Sequence, residues 1–281
     1  MFTSPHLVDF RERIQVQGDM ISKEDTMRLG NRLLSMDFGV CPTMFDYCLA
    51  MALLYFKEQK CDVVILETGL GGTYDSTNAC GVPDVTVIAK IGFDHMAILG
   101  DTLAKIAAEK AGIIKHGTAL VLESQEKEAM DVLNKAAERA DIKTTKVVNL
   151  DEIRILPQKD GKQCFSYAGY DAVTMKMLGV HQYENAVAAM LAAELFFEKY
   201  FAGKKNVPER KALQHAIREG IDRTQWMGRM ELVSNDPFFL MDGAHNSNGV
   251  EALKKSLETM YPDEKFHFIM GVMADKDYGE M

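Results

Sequence analysis

The sequence predicts an α/β fold: a central, mostly parallel sheet with a small antiparallel β excursion, followed by part of a second α/β domain. Three observations predict it. Apolar, β-branched runs at Val63-Val64-Ile65-Leu66, at 84–91 and at 119–122 alternate with stretches of helical periodicity, the pattern of strands buried on both faces of a parallel sheet. Between 141 and 178, Thr, Val and Tyr become frequent and Asp160-Gly161 supplies a hairpin turn. Beyond Asp236 an apolar strand, a helix and a second apolar strand follow one another, a new β-α-β unit.

Taken in order, residues 1–21 read as loop and short strands. Ser22 with Asp25, and Thr43 with Asp46, have capping-box spacing and open helices that run to 36 and to 60. A strand over 61–67 ends in Glu67, and three glycines in four residues follow at 69, 71 and 72. The next strand, 84–91, ends in Gly92-Phe93-Asp94-His95; helix 102–114, strand 119–122 and the charged helix 125–140 complete the alternation. After the antiparallel excursion comes a long helix from His181 to Tyr200, and then one with Pro208 in its first turn that ends near Gly220. Residues 222–230 read as a connection, 237–242 as a strand, 248–260 as a helix and 266–272 as a strand. The domains divide at 1–225 and 226–281.

A chain of 281 residues buries a sizeable core as one large or two medium domains. Its net charge of -9 argues against nonspecific nucleic-acid binding but leaves an anionic substrate open, because a metal or local lysines reverse the charge within one cleft. Five cysteines without CxxC spacing indicate neither a disulfide framework nor a zinc site, so a cytoplasmic location is expected. No apolar run spans a bilayer, and no membrane partner is expected. Both ends are abrupt: Met1 leads at once into Phe2-Thr3-Ser4-Pro5-His6-Leu7, and Met281 follows soon after a strand-like run. The expectation is a fragment of a longer protein.

Several groups suit chemistry at the edge of such a sheet. Glu67 before a glycine turn fits a metal held beside a phosphate, or simply a strand end with a flexible turn. Asp94 and His95 stand at the end of the next strand, as metal ligands or as a cap and a turn histidine. Lys110 lies on a mostly apolar helix, either snorkelling or turned into a cleft. Asp242-Gly243-Ala244-His245-Asn246 precedes a helix N-terminus that would suit an anion, and Arg229 is either a phosphate contact or a surface arginine. His181 and Asn185 share a helix face, as a nucleobase-reading pair or as a cap with a solvated amide.

Eight motifs recur in one order: Thr3-Ser4-Pro5-His6-Leu7 with Glu12-Arg13-Ile14; residues 67–78; Asp94-His95 with Leu99-Gly100; residues 109–115; His181-Gln182 with Asn185-Ala186; Gly228-Arg229; residues 242–246; and Asp275-Lys276-Asp277. In that order the chain resembles the folylpolyglutamate synthase / dihydrofolate synthase family, a branch of the Mur ligases. The resemblance implies a Mur-ligase-like ATPase domain followed by part of a Rossmann-like glutamate-ligase domain. It implies ATP-dependent ligation of L-glutamate to a folate or dihydropteroate carboxylate through an acyl phosphate, with ATP and Mg²⁺ as cofactors, in a monomer. By the same resemblance Ser4, Glu67 and His95 are the Mg²⁺ ligands and Lys110 is the lysine that becomes carbamylated. Asn185 contacts adenine, Arg229 and Asp242 reach the phosphates and ribose, and His245 lies beside them as a catalytic residue. Thr43, Met44, Phe45 and Asp46, with Tyr74, Asp75 and Ser76, line the pterin site.

One departure stands out. The family's phosphate loop, ending Gly-Lys-Ser/Thr, occurs nowhere in the sequence. Residues 69–72 do not replace it, since no Lys-Ser/Thr follows, and Thr73 stands where the family often has arginine. Little or no ligase activity is therefore expected of this chain alone, and micromolar ATP·Mg²⁺ binding in a calorimetric titration would contradict that. Two alternatives remain: another Mur-like ligase, and a non-catalytic remnant that binds folate or a partner.

Overall fold

The computed structural model describes residues 1–271. They pack into two compact units, Met1–Val82 with Glu109–Ile113, and Pro83–Ala108 with the chain from Ile114 onward.

The first unit is built around Phe2, which is fully buried. Its backbone bridges antiparallel to Ile14 and parallel to Leu66: Phe2 N–H donates to Ile65 O at 2.8 Å and Glu67 N–H to Phe2 O at 3.0 Å. A small hairpin pairs β1 (Gln15–Val16) with β2 (Asp19–Met20). Helix α1 (Lys23–Leu34) starts at Ser22, whose hydroxyl accepts Asp25 N–H at 2.9 Å. Helix α2 (Met44–Glu58) starts at Thr43 in a full capping box with Asp46. Leu29 and Leu33, four apart on one face of α1, join Leu49, Ala52 and Phe56 of α2 in a core with Phe2, Ile14 and Ile21. Each Leu, Ile or Phe among them contributes about 1.5–3 kcal/mol by leaving water.

Residues 61–67 do not form the expected buried strand. Leu66 makes a single bridge, and Val63, Val64 and Ile65 remain 47%, 41% and 62% exposed. A strand is stabilised by a ladder of pairs and by cover on its faces. Among the described residues the pairing of this run is confined to Phe2.

In the second unit β3 (Val85–Ile88), β4 (Ala119–Leu122) and β5 (Thr145–Val147) form a parallel sheet in that order. Between β3 and β4 the chain forms a short α3 (Met96–Leu99) and α4 (Leu103–Lys110), which a 3₁₀ turn over Ala111–Ile113 extends; Glu109–Ile113 of this stretch belong to the first unit. Helix α5 (Lys127–Arg139) joins β4 to β5. All four residues of β4 are buried, as a central parallel strand requires. β5 corrects the expected extent of the antiparallel excursion: Leu120 pairs with Thr145 in parallel, so the excursion starts later. It comprises β6 (Arg154–Lys159), β7 (Lys162–Tyr167) and β8 (Tyr170–Met175). Asp160 and Gly161 both take positive φ, 52° and 73°, as an Asp-Gly hairpin turn needs.

Helix α6 (Gln182–Phe201) supplies Tyr183, Val187 and Met190 to a core shared with Val121 of β4 and Phe165 of β7. Helix α7 (Arg210–Arg223) follows; Pro208 stands before its N-cap Glu209 rather than in its first turn. β9 (Glu231–Asn235) and β10 (Phe238–Met241) form an antiparallel pair, and α8 (Ser247–Met260) follows. The strand expected at 237–242 therefore finds its partner in the segment just before it. Residues 266–271 form no strand, and the remainder of that run, with Asp275-Lys276-Asp277, lies outside the described residues.

Candidate functional site

In the first unit the candidate residues gather on the turn after Glu67. Ser4 N–H donates to Glu67 Oε2 at 2.7 Å, so the serine sits directly against that carboxylate. The glycine turn is fastened by Asp75, whose Oδ2 accepts the N–H groups of Gly69 and Leu70 at 2.9 and 3.1 Å. Its Oδ1 accepts Thr77 N–H at 3.0 Å, capping the 3₁₀ turn Ser76–Cys80. The glycines serve close approach. A Cβ on Gly69 would lie 2.6 Å from Cε2 of Phe45, and one on Gly72 would lie 2.5 Å from Glu109 O. Gly72 thus packs on the backbone of Glu109 and Lys110, and Thr73 N–H donates to Glu109 O at 2.9 Å. The lysine's backbone is tied to the glycine turn through these contacts.

Thr43 and Asp46 meet the same region. Thr43 N–H and Oγ1 both donate to Asp46 Oδ2 at 2.7 Å, and Ser76 Oγ donates to Asp46 Oδ1. The Ser76 hydroxyl, then the Thr43 hydroxyl and amide, hold the Asp46 carboxyl below the ordinary carboxylate range. Phe45 packs edge-on to Phe2 at 5.4 Å between centroids. Met44 and Tyr74 are 72% and 92% exposed. Of the seven residues expected to line the pterin site, Thr43 and Ser76 are both hydrogen-bonded to Asp46, Phe45 and Asp75 both meet Gly69 of the glycine turn, and Met44 and Tyr74 present exposed side chains.

In the second unit His95 opens α3 with φ 48° and ψ 36°. Asp94 Oδ1 accepts His95 N–H at 2.8 Å, and Asp94 Oδ2 accepts Asn246 Nδ2 at 2.8 Å. The same Oδ2 lies 3.9 Å from His95 Nε2 and 4.0 Å from His245 Nε2, so one carboxylate faces two imidazoles. Asn248 Nδ2 donates to Phe93 O at 3.0 Å and leaves no room for a side chain at Gly92. Asn246 also caps α8 by accepting Gly249 N–H at 2.8 Å. The sequence reading singled out Asp94 and His245 but missed these asparagine clamps; Asn246, the last residue of its motif, was the available signal.

Asp242 is held by backbone: its Oδ2 accepts Met230 N–H and its Oδ1 accepts Ala244 N–H, both at 2.8 Å. Arg229 lies across Gly243, where a Cβ would stand 2.7 Å from its guanidinium. His181 feels both groups. Burial lowers its pKa, Asp242 opposes the shift and Arg229 adds to it. Asn185 Nδ2 donates to Gln182 Oε1 at 2.9 Å, and Gln182 Nε2 lies 3.0 Å from His181 Nε2. Among the described residues no three His, Cys, Asp or Glu side chains converge as a metal cluster, and no helix is long and apolar enough to cross a membrane.

The Mur ligase middle domain matches residues 39–193, and the Mur ligase glutamate ligase domain matches residues 228–281. The dihydrofolate synthase/folylpolyglutamate synthase of Bacillus subtilis is 37% identical over all of this chain and 66% of its own length. A folylpolyglutamate synthase of Arabidopsis thaliana is 35% identical over 91% of this chain and 45% of its own length. Among solved structures, a folylpolyglutamate synthase complex with AMPPCP and folate superposes with a TM-score of 0.83 at 26% identity, covering 99% of this chain and 68% of the other. The chain thus spans two thirds or less of the length of these curated relatives. It belongs to the Mur ligase family, in the branch of the folylpolyglutamate and dihydrofolate synthases.

Proposed function

We propose that this chain takes part in ATP-dependent amide ligation, adding L-glutamate to a folate or dihydropteroate carboxylate. The observation that carries this reading is the match of the whole chain to a dihydrofolate synthase/folylpolyglutamate synthase. The acceptor carboxylate attacks the γ-phosphate of ATP, releasing ADP and leaving an acyl phosphate. The amine of glutamate then attacks the acyl carbon and expels phosphate. Charge neutralisation and positioning dominate such transfers.

Of the three residues read as Mg²⁺ ligands, Glu67 and Ser4 are of the oxygen-donor type that magnesium prefers, and Ser4 sits against the Glu67 carboxylate; His95 offers an imidazole, an acceptable though less usual ligand. Mg²⁺ held by these residues would supply neutralisation of phosphate charge. Lys110, carbamylated, would add a carboxylate-like oxygen. Thr43, Met44, Phe45 and Asp46, with Tyr74, Asp75 and Ser76, take the pterin. The rigid Asp46–Ser76 link and the exposed Tyr74 face support that role. Asn185 reads adenine, Arg229 and Asp242 take the phosphates and ribose, and His245 stands by the reacting groups. Residues 1–225 form the ATPase domain and 226–281 the glutamate-ligase domain, in a cytoplasmic monomer.

The test is ligation with ATP, Mg²⁺, L-glutamate and either dihydropteroate or a reduced folate. Because no Gly-Lys-Ser/Thr loop occurs in the sequence, product is read by mass after long incubation rather than as a rate. An acceptor one glutamyl unit heavier, formed only when all components are present, supports the reading. ATP cleavage indifferent to acid and amine contradicts it.

A further inference from the structure

At the end of β4 two carboxyl groups that the proposed reaction does not use converge on one backbone turn. Glu123 is 3% exposed. Its Oε2 accepts Lys90 N–H at 2.6 Å, and its own N–H donates to Ile88 O at 3.0 Å. The next residue, Ser124, donates its N–H to Glu184 Oε1 at 2.6 Å. Gln125 closes the turn, accepting Ile91 N–H at 2.8 Å and donating to Ala89 O at 3.0 Å. The ends of β3 and β4 and the start of α6 are therefore joined by carboxyl and amide side chains. This is the carboxyl edge of a parallel sheet, where such folds bind ligands.

Glu184 is the third residue of α6, where helix dipoles favour an anion. Asn185 follows it directly and is tied back to Gln182 at 2.9 Å. We propose that Glu123 and Glu184 are positioning residues: Glu184 latches the first turn of α6 to the end of β4, and the protonation state of Glu123 sets how firmly the latch holds Asn185. The charged groups facing Glu123 are Glu184 from α6 and Lys90 from the segment after β3. Burial pushes the Glu123 carboxyl up to about 7; the Lys90 amide opposes the shift, Glu184 adds to it, and the Lys90 charge opposes it. The neutral form is the one the fold favours, so the latch is intact below that value. As pH rises through it, a second negative charge enters the buried turn. Glu184, only half-buried, is repelled from Ser124, and Asn185 moves with it. The consequence for nucleotide rests on the assignment of Asn185 to adenine.

The experiment follows backbone and side-chain amides by NMR from about pH 5.5 to about pH 8.5, with ADP as the nucleotide probe. In the wild type, the Ser124 amide and the Asn185 side-chain amide should share one inflection near neutrality, absent in Glu123→Gln. In Glu184→Gln, the Lys90 amide should keep the inflection while Ser124 loses it. ADP affinity should fall roughly three- to tenfold between about pH 6 and about pH 8 in the wild type and stay flat in Glu123→Gln. Independent behaviour of Ser124 and Asn185, an inflection that survives Glu123→Gln, or an equal loss of ADP affinity in that variant would overturn the proposal. Coupled titration without ADP binding at any pH would sink the adenine assignment and leave the positioning pair standing.

Discussion

Asp46 and Glu123 are both carboxyl groups that fasten a turn beside a candidate site, and their surroundings treat them in opposite ways. Asp46 lies near water and collects the hydroxyls of Ser76 and Thr43 and the Thr43 amide. Hydrogen bonds to the ionised form outweigh its modest desolvation and hold it low. Glu123 is buried with one short amide contact and a second carboxylate nearby, and desolvation wins. The first region is a rigid polar scaffold at any physiological pH. The second changes charge within that range.

The largest expected break of this contrast is in stability against pH. Glu123 rises from 4.5 to about 7 on folding, so the folded protein binds the extra proton between those values. Stability should therefore fall on the order of 3 kcal/mol as pH rises across that window, and Glu123→Gln should flatten the slope in denaturant titrations. Asp46 has the reverse sign: its contribution is present above its unfolded value of 3.8 and is lost only as pH falls below it. Next, Gly72→Ala drives a methyl into the Glu109 carbonyl and should cost about 2 kcal/mol by thermal unfolding, showing that the first region depends on backbone fit as well as polar bonds. Thr43→Ala removes half of the capping box and should cost about 1 kcal/mol. As a baseline, Arg28→Ala, which breaks solvent-screened surface pairs with Asp25 and Glu58, should leave the thermal midpoint nearly unchanged, the smallest effect of the series.

The same contrast marks what the sequence makes legible. β4 matched residue for residue because a run buried on both faces is a strong signal, and the Asp160-Gly161 turn because its chemistry is local. The similar run at 63–66 misled: an apolar pattern states a demand for cover, and whether a neighbour meets it is decided at long range. β5 hid among Thr, Lys and Val residues that fit either kind of sheet. In the site, the capping pairs at 22/25 and 43/46 were readable from spacing. Glu123 was not, since a carboxylate after a strand looks solvated until the packing of α6 is known.

Amide shift mapping with each ligand separately distinguishes the acceptor residues from the nucleotide residues most directly. ADP should move Asn185, Arg229 and the residues around Asp242 and leave Tyr74-Asp75-Ser76 unmoved, while dihydropteroate or a reduced folate should move Thr43 to Asp46 and Tyr74 to Ser76. Both ligands perturbing one common set, or neither perturbing its own, would contradict the assignment of an acceptor side and a nucleotide side to this chain.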